Sequence, residues 1–221
     1  MSLIIAIDGP SASGKSTVSR RVAQRLNFIH VDSGSFYRGA TWYFIKKDVA
    51  AGDEAAAESA LRTIRPEIFV KEHAVGFSID GFRPDAELRS REVNDLVSPV
   101  AAMPPVRAWV VAQLRKMSEF GNLVMEGRDI GTAVFPDAAF KFYLDAAPEE
   151  RARRRHLEIL NAGKKADYDE ILRSILKRDR IDSSRASDPL KIAPDAVVIQ
   201  STGMTIDEVV DLIVSTVQRK K

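Results

Sequence analysis

The most specific chemistry in the chain lies in nine residues, "GPSASGKST", Gly9 to Thr17. They match G-x-x-x-x-G-K-[ST], the spacing with which a loop wraps phosphate. Gly9 and Gly14 allow close approach of the backbone, and Pro10, Ser11, Ala12 and Ser13 make up the loop between them. Lys15 is placed to reach the β- and γ-phosphates, and the Ser16 hydroxyl to ligate Mg²⁺. An apolar strand precedes the motif and an amphipathic helix follows, so the helix N-terminus faces the same anion. The residues therefore predict a site for a nucleoside triphosphate. They leave the reaction open, because kinases, switches and mechanical ATPases share this loop. The D-x-x-G and N-K-x-D tetrapeptides of guanine-nucleotide switches are absent from the sequence.

A second set of charges follows other apolar runs. In "LVMEGRDIGT", Leu123 to Thr132, a strand ends in Glu126, a position from which carboxylates serve a nucleotide's magnesium directly or through water. Arg128 and Asp129 come immediately after it. In "VDSGSFYR", Arg38 stands about one helical turn beyond a strand-to-helix junction, where Ser33 is either a helix cap or a ligand. Arg107, Arg178 and Arg185 are further candidates. Each alone could be a solvated arginine. Together in one crevice they would bind an anion beyond the triphosphate, for which the planar, permanently charged guanidinium is suited.

Positioning these groups requires strands that end at a common edge. β-rich runs occur at Leu3–Ile7, Phe28–Val31, Leu123–Met125, Phe140–Leu144 and Val197–Ile199, with helical patterns between them. Val18, Val22 and Leu26 share one helix face, and Thr205 with Glu208 forms a capping box ahead of Ile206, Val209, Val210, Ile213 and Val217. The alternation predicts an α/β fold, an open parallel sheet flanked by helices with ligands at the carboxyl ends of its strands. Two segments depart from that core. Runs at Ile68–Val70 and Val75–Ile79, followed by Asp80-Gly81 as a good hairpin turn and a polar helix from about Asp85, predict a small α+β insertion. The stretch from Pro148 to Ser184 is dense in charge, with Pro148, Glu149 and Glu150 opening a helix that becomes strongly basic. Trp42, in "TWYFIKKD", reads as core packing.

Bulk properties narrow the class. The 221 residues suffice for one sizeable domain, and 45% hydrophobic with 29% charged residues is ordinary for a soluble globular protein. No apolar run reaches the ~18–20 residues of a bilayer span, and "MSLIIAIDGP" reads as a strand rather than a leader. The net charge of +2 is too balanced to argue for nucleic acid, and the absence of cysteine fits a reducing compartment.

Taken in order, "IAIDGPSASGKST", "DSGSFYR", "VSPVAAMPPVR", "EGRDIGT" continuing through "VFPDA", "ERARRR" and "RDRIDSSR" resemble the bacterial cytidylate kinases, nucleoside monophosphate kinases of the P-loop class. The resemblance runs nearly end to end. It implies a P-loop NTPase-type five-stranded parallel sheet in one kinase domain. Its core would be 1–64, 97–147 and 185–221, its monophosphate-binding insertion 65–96 and its helical lid 148–184. It further implies MgATP as phosphoryl donor, CMP or dCMP as acceptor, a cytoplasmic monomer, and no nucleic-acid or membrane partner. Lys15, Arg128, Arg154 and Arg185 would be catalytic, and Arg151 and Arg155 would join the P-loop residues on ATP. Ser33, Arg38, Arg128 and Arg185 would hold the acceptor phosphate and sugar region. Ser98, Arg107 and Asp129 would read cytosine, and Arg178 and Asp182 would position the ribose. Arg153 reads as solvated. The rival readings are a kinase for uridylate or another small acceptor, and a nucleotide-dependent switch.

Overall fold

In the computed structural model, which describes residues 2–219, strands and helices alternate along most of the chain. The first half comprises β1 (Ile4–Asp8), α1 (Lys15–Leu26), β2 (Ile29–Asp32), α2 (Ser33–Lys46), α3 (Glu54–Thr63), β3 (Pro66–Lys71), β4 (Ala74–Ile79) and α4 (Arg91–Ala101). The second half comprises α5 (Pro104–Lys116), β5 (Leu123–Gly127), β6 (Phe140–Asp145), α6 (Pro148–Asn161), α7 (Tyr168–Ser184), β7 (Val197–Gln200) and α8 (Ile206–Arg219). The sheet order is β3-β4-β2-β5-β1-β6-β7. Five strands, from β2 to β7 in that order, are mutually parallel, as expected.

The β3–β4 hairpin extends this sheet to seven strands. Its attachment is slight: β4 meets β2 through the single register pair His30↔Ala74. The turn that joins β3 to β4 comes before Asp80-Gly81. Glu72 and His73 make it, both at positive φ (50° and 58°), as a two-residue hairpin loop of the primed kind requires. Asp80-Gly81 instead closes a second tight turn that pairs Ile79 with Phe82. The polar helix expected from Asp85 is a short 3₁₀ turn at Glu87–Arg89, after which α4 begins with the Ser90 side chain accepting from Val93 N–H. Helix α4 runs across residues 96 and 97 without a break.

Strand side chains alternate between faces, and the two halves of the core follow that period. Ile5 and Ile7 of β1, with Val124, Phe142 and Leu144, pack against Val18 and Val22 of α1 and Val210, Ile213 and Val217 of α8. Ile4 and Ala6, with Val31, Leu123 and Met125, pack against α2, α3, α4 and α5 through Phe36, Leu61, Val97 and Val106. Trp42 is packed at the margin of this second half and stacks on Phe82 at 5.4 Å. With both faces covered, the open edge of the sheet lies where β1, β2, β5 and β6 end. Among the described residues no helix is long and apolar enough to cross a membrane.

Candidate active site

The loop between β1 and α1 uses backbone geometry that its glycines permit. Gly9 has φ 153°, and a Cβ there would lie 2.1 Å from the Leu144 carbonyl oxygen. Gly14, at φ 89°, precedes α1 with no side-chain cap, so the first N–H groups of the helix are left to an anion. Lys15 is buried; its Nζ donates to Pro10 O (2.6 Å) and Ser13 Oγ (3.1 Å). Burial first, and then the Arg128 charge, push its pKa well below the lysine range, against the pull of Glu126, Asp8 and Asp182. The donor lysine and the residues after β5 therefore share one electrostatic site.

Ser16 and Glu126 meet at the mouth of the phosphate loop. Ser16 Oγ donates to Glu126 Oε2 at 2.8 Å, while Ser19 Oγ (3.3 Å) and His30 Nε2 (3.3 Å) approach Oε1. Burial raises the Glu126 pKa, but the His30 hydrogen bond, Lys15, the His30 charge and Ser16 outweigh it and the net shift is downward. Asp32 is the register partner of Glu126 across β2 and β5. A hydroxyl beside carboxylates at the mouth of a phosphate loop is the hard-oxygen donor set that Mg²⁺ accepts alongside phosphate oxygens.

The other half of the crevice gathers the arginines. Asp32, not Ser33, caps α2, its Oδ1 accepting from Ser35 N–H; this frees the Ser33 hydroxyl, which donates to the Glu126 carbonyl at 2.6 Å. Gly127 makes room for that contact, since a Cβ there would lie 2.6 Å from Ser33 Oγ. Arg38 reaches Asn94 Oδ1 (2.7 Å) and Leu88 O (3.3 Å), tying α2 to α4 and the 3₁₀ turn. Arg128 Nε donates to Asp182 Oδ2 at 2.9 Å. Arg178 keeps a buried Nε with no hydrogen-bond partner. Burial, then Arg178, pushes the Arg38 pKa down to about 10, and burial with Arg128 lowers that of Arg178. Mutually repelling, half-buried cations are costly unless an anion joins them.

Deeper in, Arg107 is buried between acids. It pairs with Asp129 and through Nε with Asp188 Oδ2 at 2.9 Å, and its guanidinium lies 5.5 Å from the Tyr37 ring. Arg185 approaches Asp129 Oδ1 at 3.5 Å and donates to the Asp188 carbonyl at 2.6 and 2.8 Å. Burial raises the Asp129 pKa despite both arginines, whereas burial pulls Arg107 down but Asp129, Tyr37 and Asp188 together outweigh it and the net shift is upward. Ser98 is buried nearby on α4, the helix ahead of the one that carries Arg107. Thus Lys15, Arg38, Arg107, Arg128, Asp129, Arg178, Asp182 and Arg185 are brought together.

The basic helix α6 behaves differently from its expected role. Arg151 is buried, donating to Ala146 O, Ser11 O and Asp179 Oδ2. Arg154 turns away from the crevice to Ser201 O (2.7 Å) and Glu150 (2.8 Å), so it does not join Lys15 and Arg128. Arg155 pairs with Glu158 on an exposed face. Arg153 is solvated, bonded to Glu150. Helical spacing drives these pairings: an acid three or four residues away is the nearest partner for each free guanidinium.

A family model described as cytidylate kinase matches residues 5–219. The chain belongs to the cytidylate kinase family. Its relatives include the "Cytidylate kinase" of Desulforamulus reducens, 44% identical over 218 residues, covering 98% of this chain and 97% of that protein. That of Geobacillus kaustophilus is 43% identical over 216 residues, covering 98% and 96%. Among solved structures, an uncharacterized protein from Eubacterium ventriosum superposes with a TM-score of 0.51 at 13% identity over 98% of each chain, a likeness of fold alone.

Three acids in this family member escaped the sequence reading. Asp8 ends β1 and accepts from the backbone N–H groups of Ile130 and Gly131, each at 2.8 Å, thereby holding the turn after Asp129. Burial lifts its pKa to about 6 against those two bonds. Asp188, at φ 45°, holds both Arg107 and Arg185. Asp179 accepts from Ser11 N–H at 2.9 Å. Asp8 lay in plain view inside "AIDGP", yet its partners are more than a hundred residues away and no local spacing announces them.

Proposed function

We propose that the protein transfers the γ-phosphoryl group of ATP to the 5′-phosphate of CMP or dCMP, giving ADP and CDP or dCDP. The observation that carries this reading is the set of half-buried arginines, Arg38, Arg128 and Arg178, whose charges oppose one another beside Lys15. It asks for a second anion next to the one held by the P-loop. Membership of the cytidylate kinase family supports the base, and the buried Arg107–Asp129 pair supplies a donor and an acceptor for it.

An acceptor phosphate oxygen attacks the γ-phosphorus in line while the bond to the β–γ bridging oxygen breaks and ADP departs. That oxygen is already anionic near neutral pH, so the site needs no strong general base. The obstacle is repulsion: two unit charges ~4 Å apart cost about 4 kcal/mol at an effective dielectric near 20. Lys15 receives charge on the donor phosphates, while Arg38, Arg128, Arg178 and Arg185 hold the acceptor phosphate. Asp129 accepts from the cytosine amine and Arg107 donates to its O2/N3 edge. Asp182 keeps Arg128 aligned and accepts from the sugar hydroxyls. Ser16, with Glu126 beside it, would hold Mg²⁺, which would supply charge neutralisation to the transfer.

Release of ADP measured with a panel of acceptors tests the assignment. Strong stimulation by CMP and dCMP is expected. Stimulation by UMP alone, by a non-nucleotide acceptor alone, or by none of them would overturn it.

A further inference from the structure

One helix face reaches from the phosphate loop to the acceptor arginines. On α7, Asp179 and Asp182 are three residues apart and Arg185 caps the end, so all three fall on neighbouring parts of the same surface. Each makes a different connection. Asp179 Oδ1 accepts from Ser11 N–H at 2.9 Å, Asp182 Oδ2 accepts from Arg128 Nε at 2.9 Å, and Arg185 approaches Asp129. The six residue steps from 179 to 185 span ~9 Å along a helix axis.

The contact at Ser11 is closed on both sides. Arg151 NH1 donates to Ser11 O at 2.8 Å and to Asp179 Oδ2 at 2.6 Å, and its Nε donates to Ala146 O at 2.9 Å. Ser11 and Arg151 are buried, and the Asp179 side chain is only 18% exposed. Ser11 was an expected phosphate ligand, yet both its backbone groups face lid residues. Arg178, one residue before Asp179, carries the buried unpartnered Nε, and Asp179 also adds its charge to the surroundings of Arg128 and Arg178.

We propose that Asp179 is a positioning residue that couples the two nucleotide sites, pinning α7 to the P-loop at Ser11 so that occupation of the donor site sets Arg178, Asp182 and Arg185 for the acceptor nucleotide. This rests on the kinase reading above. A helix is stiff along its axis, so a loop drawn around a triphosphate carries the pinned turn of α7 with it. The acceptor groups on that face move as a body. Without the pin, each site fills independently of the other.

The test is the affinity of the full-length protein for CMP, by calorimetry, without and with a saturating non-hydrolysable ATP analogue. In the wild type the analogue should tighten CMP binding by about fivefold or more, the range typical of coupled sites. In Asp179→Asn that enhancement should shrink to less than about twofold, the size of an uncoupled pair, with each nucleotide still binding alone. The double variant Asp179→Asn/Arg151→Gln leaves no orphaned buried charge and should show the same loss; it decides the matter if the single variant is poorly folded. Enhancement retained in the folded variant, or absent from the wild type, overturns the coupling role. Failure of the wild type to bind CMP at all would overturn the kinase reading instead.

Discussion

The donor and acceptor halves of the crevice solve the same problem, holding a phosphate, by opposite means. The donor half is contiguous: Gly9 to Thr17 form one loop, and backbone N–H groups with one lysine do the binding. The acceptor half is dispersed over residues 33 to 185, on α2, α4, α5, the turn after β5, and α7. There most guanidiniums have a dedicated side-chain partner: Arg128 has Asp182, Arg107 has Asp129 and Asp188, and Arg38 has Asn94, while the Arg178 Nε has none. The difference teaches what each half can discriminate. A backbone cradle reads phosphate and little else, whereas a lattice of paired side chains can read an amine, a ring edge and a phosphate at fixed separations.

The contrast can be broken first at Lys15. Lys15→Ala removes the donor half's one side-chain charge and should lower turnover by about 10³-fold, as loss of a transition-state donor does. A coupled assay of ADP release, with CMP affinity measured in parallel, should find CMP binding retained. Equal loss of both would mean that the halves are not separable.

Asp129 probes the other half. Asp129→Ala leaves Arg107 buried with one partner fewer, so stability should drop by about 3 kcal/mol. The same variant should lose about 10²-fold in kcat/KM for CMP, through its KM above all, with the KM for ATP unchanged. Normal CMP kinetics would remove Asp129 from base recognition.

Asp8 belongs to both halves, since its backbone leads into Gly9 and its carboxylate holds the turn after Asp129. Burial raises its pKa from 3.8 to about 6, so between these values the native state keeps a proton that the unfolded chain releases. The stabilising contribution of the protonated form is complete below about pH 4 and fades as pH rises through 6. Relative to Asp8→Asn, the wild type should lose up to about 3 kcal/mol of unfolding free energy across that window, measured by urea titration at several pH values. A difference that stays constant with pH would contradict the account.

How much of this was legible in the sequence follows the same division. The P-loop, the five parallel strands and the Thr205–Glu208 cap declare themselves because each depends on neighbours within a few residues. The turn joining β3 to β4 is silent in the sequence because Glu72-His73 lacks the glycine or asparagine that favours positive φ, whereas Asp80-Gly81, the tight turn after β4, has it. The acceptor arginines are legible as candidates from their places after strands and turns, but their individual roles come only from family resemblance. Arg151 shows why: in "ERARRR" nothing distinguishes the buried arginine that clasps Ser11 from the solvated Arg153 two residues on. Partners of Asp8, Asp179 and Asp188 come from distant segments, so only the fold reveals them.

The central claim, that the dispersed half is a cytidylate acceptor site, is tested most directly by a crystal structure of the protein with CMP bound. The account predicts the phosphate among Arg38, Arg128, Arg178 and Arg185, and the cytosine amine against the Asp129 carboxylate with Arg107 on the neighbouring ring edge. CMP found with its base away from Asp129 and Arg107, or with its phosphate outside the arginine cluster, would contradict it.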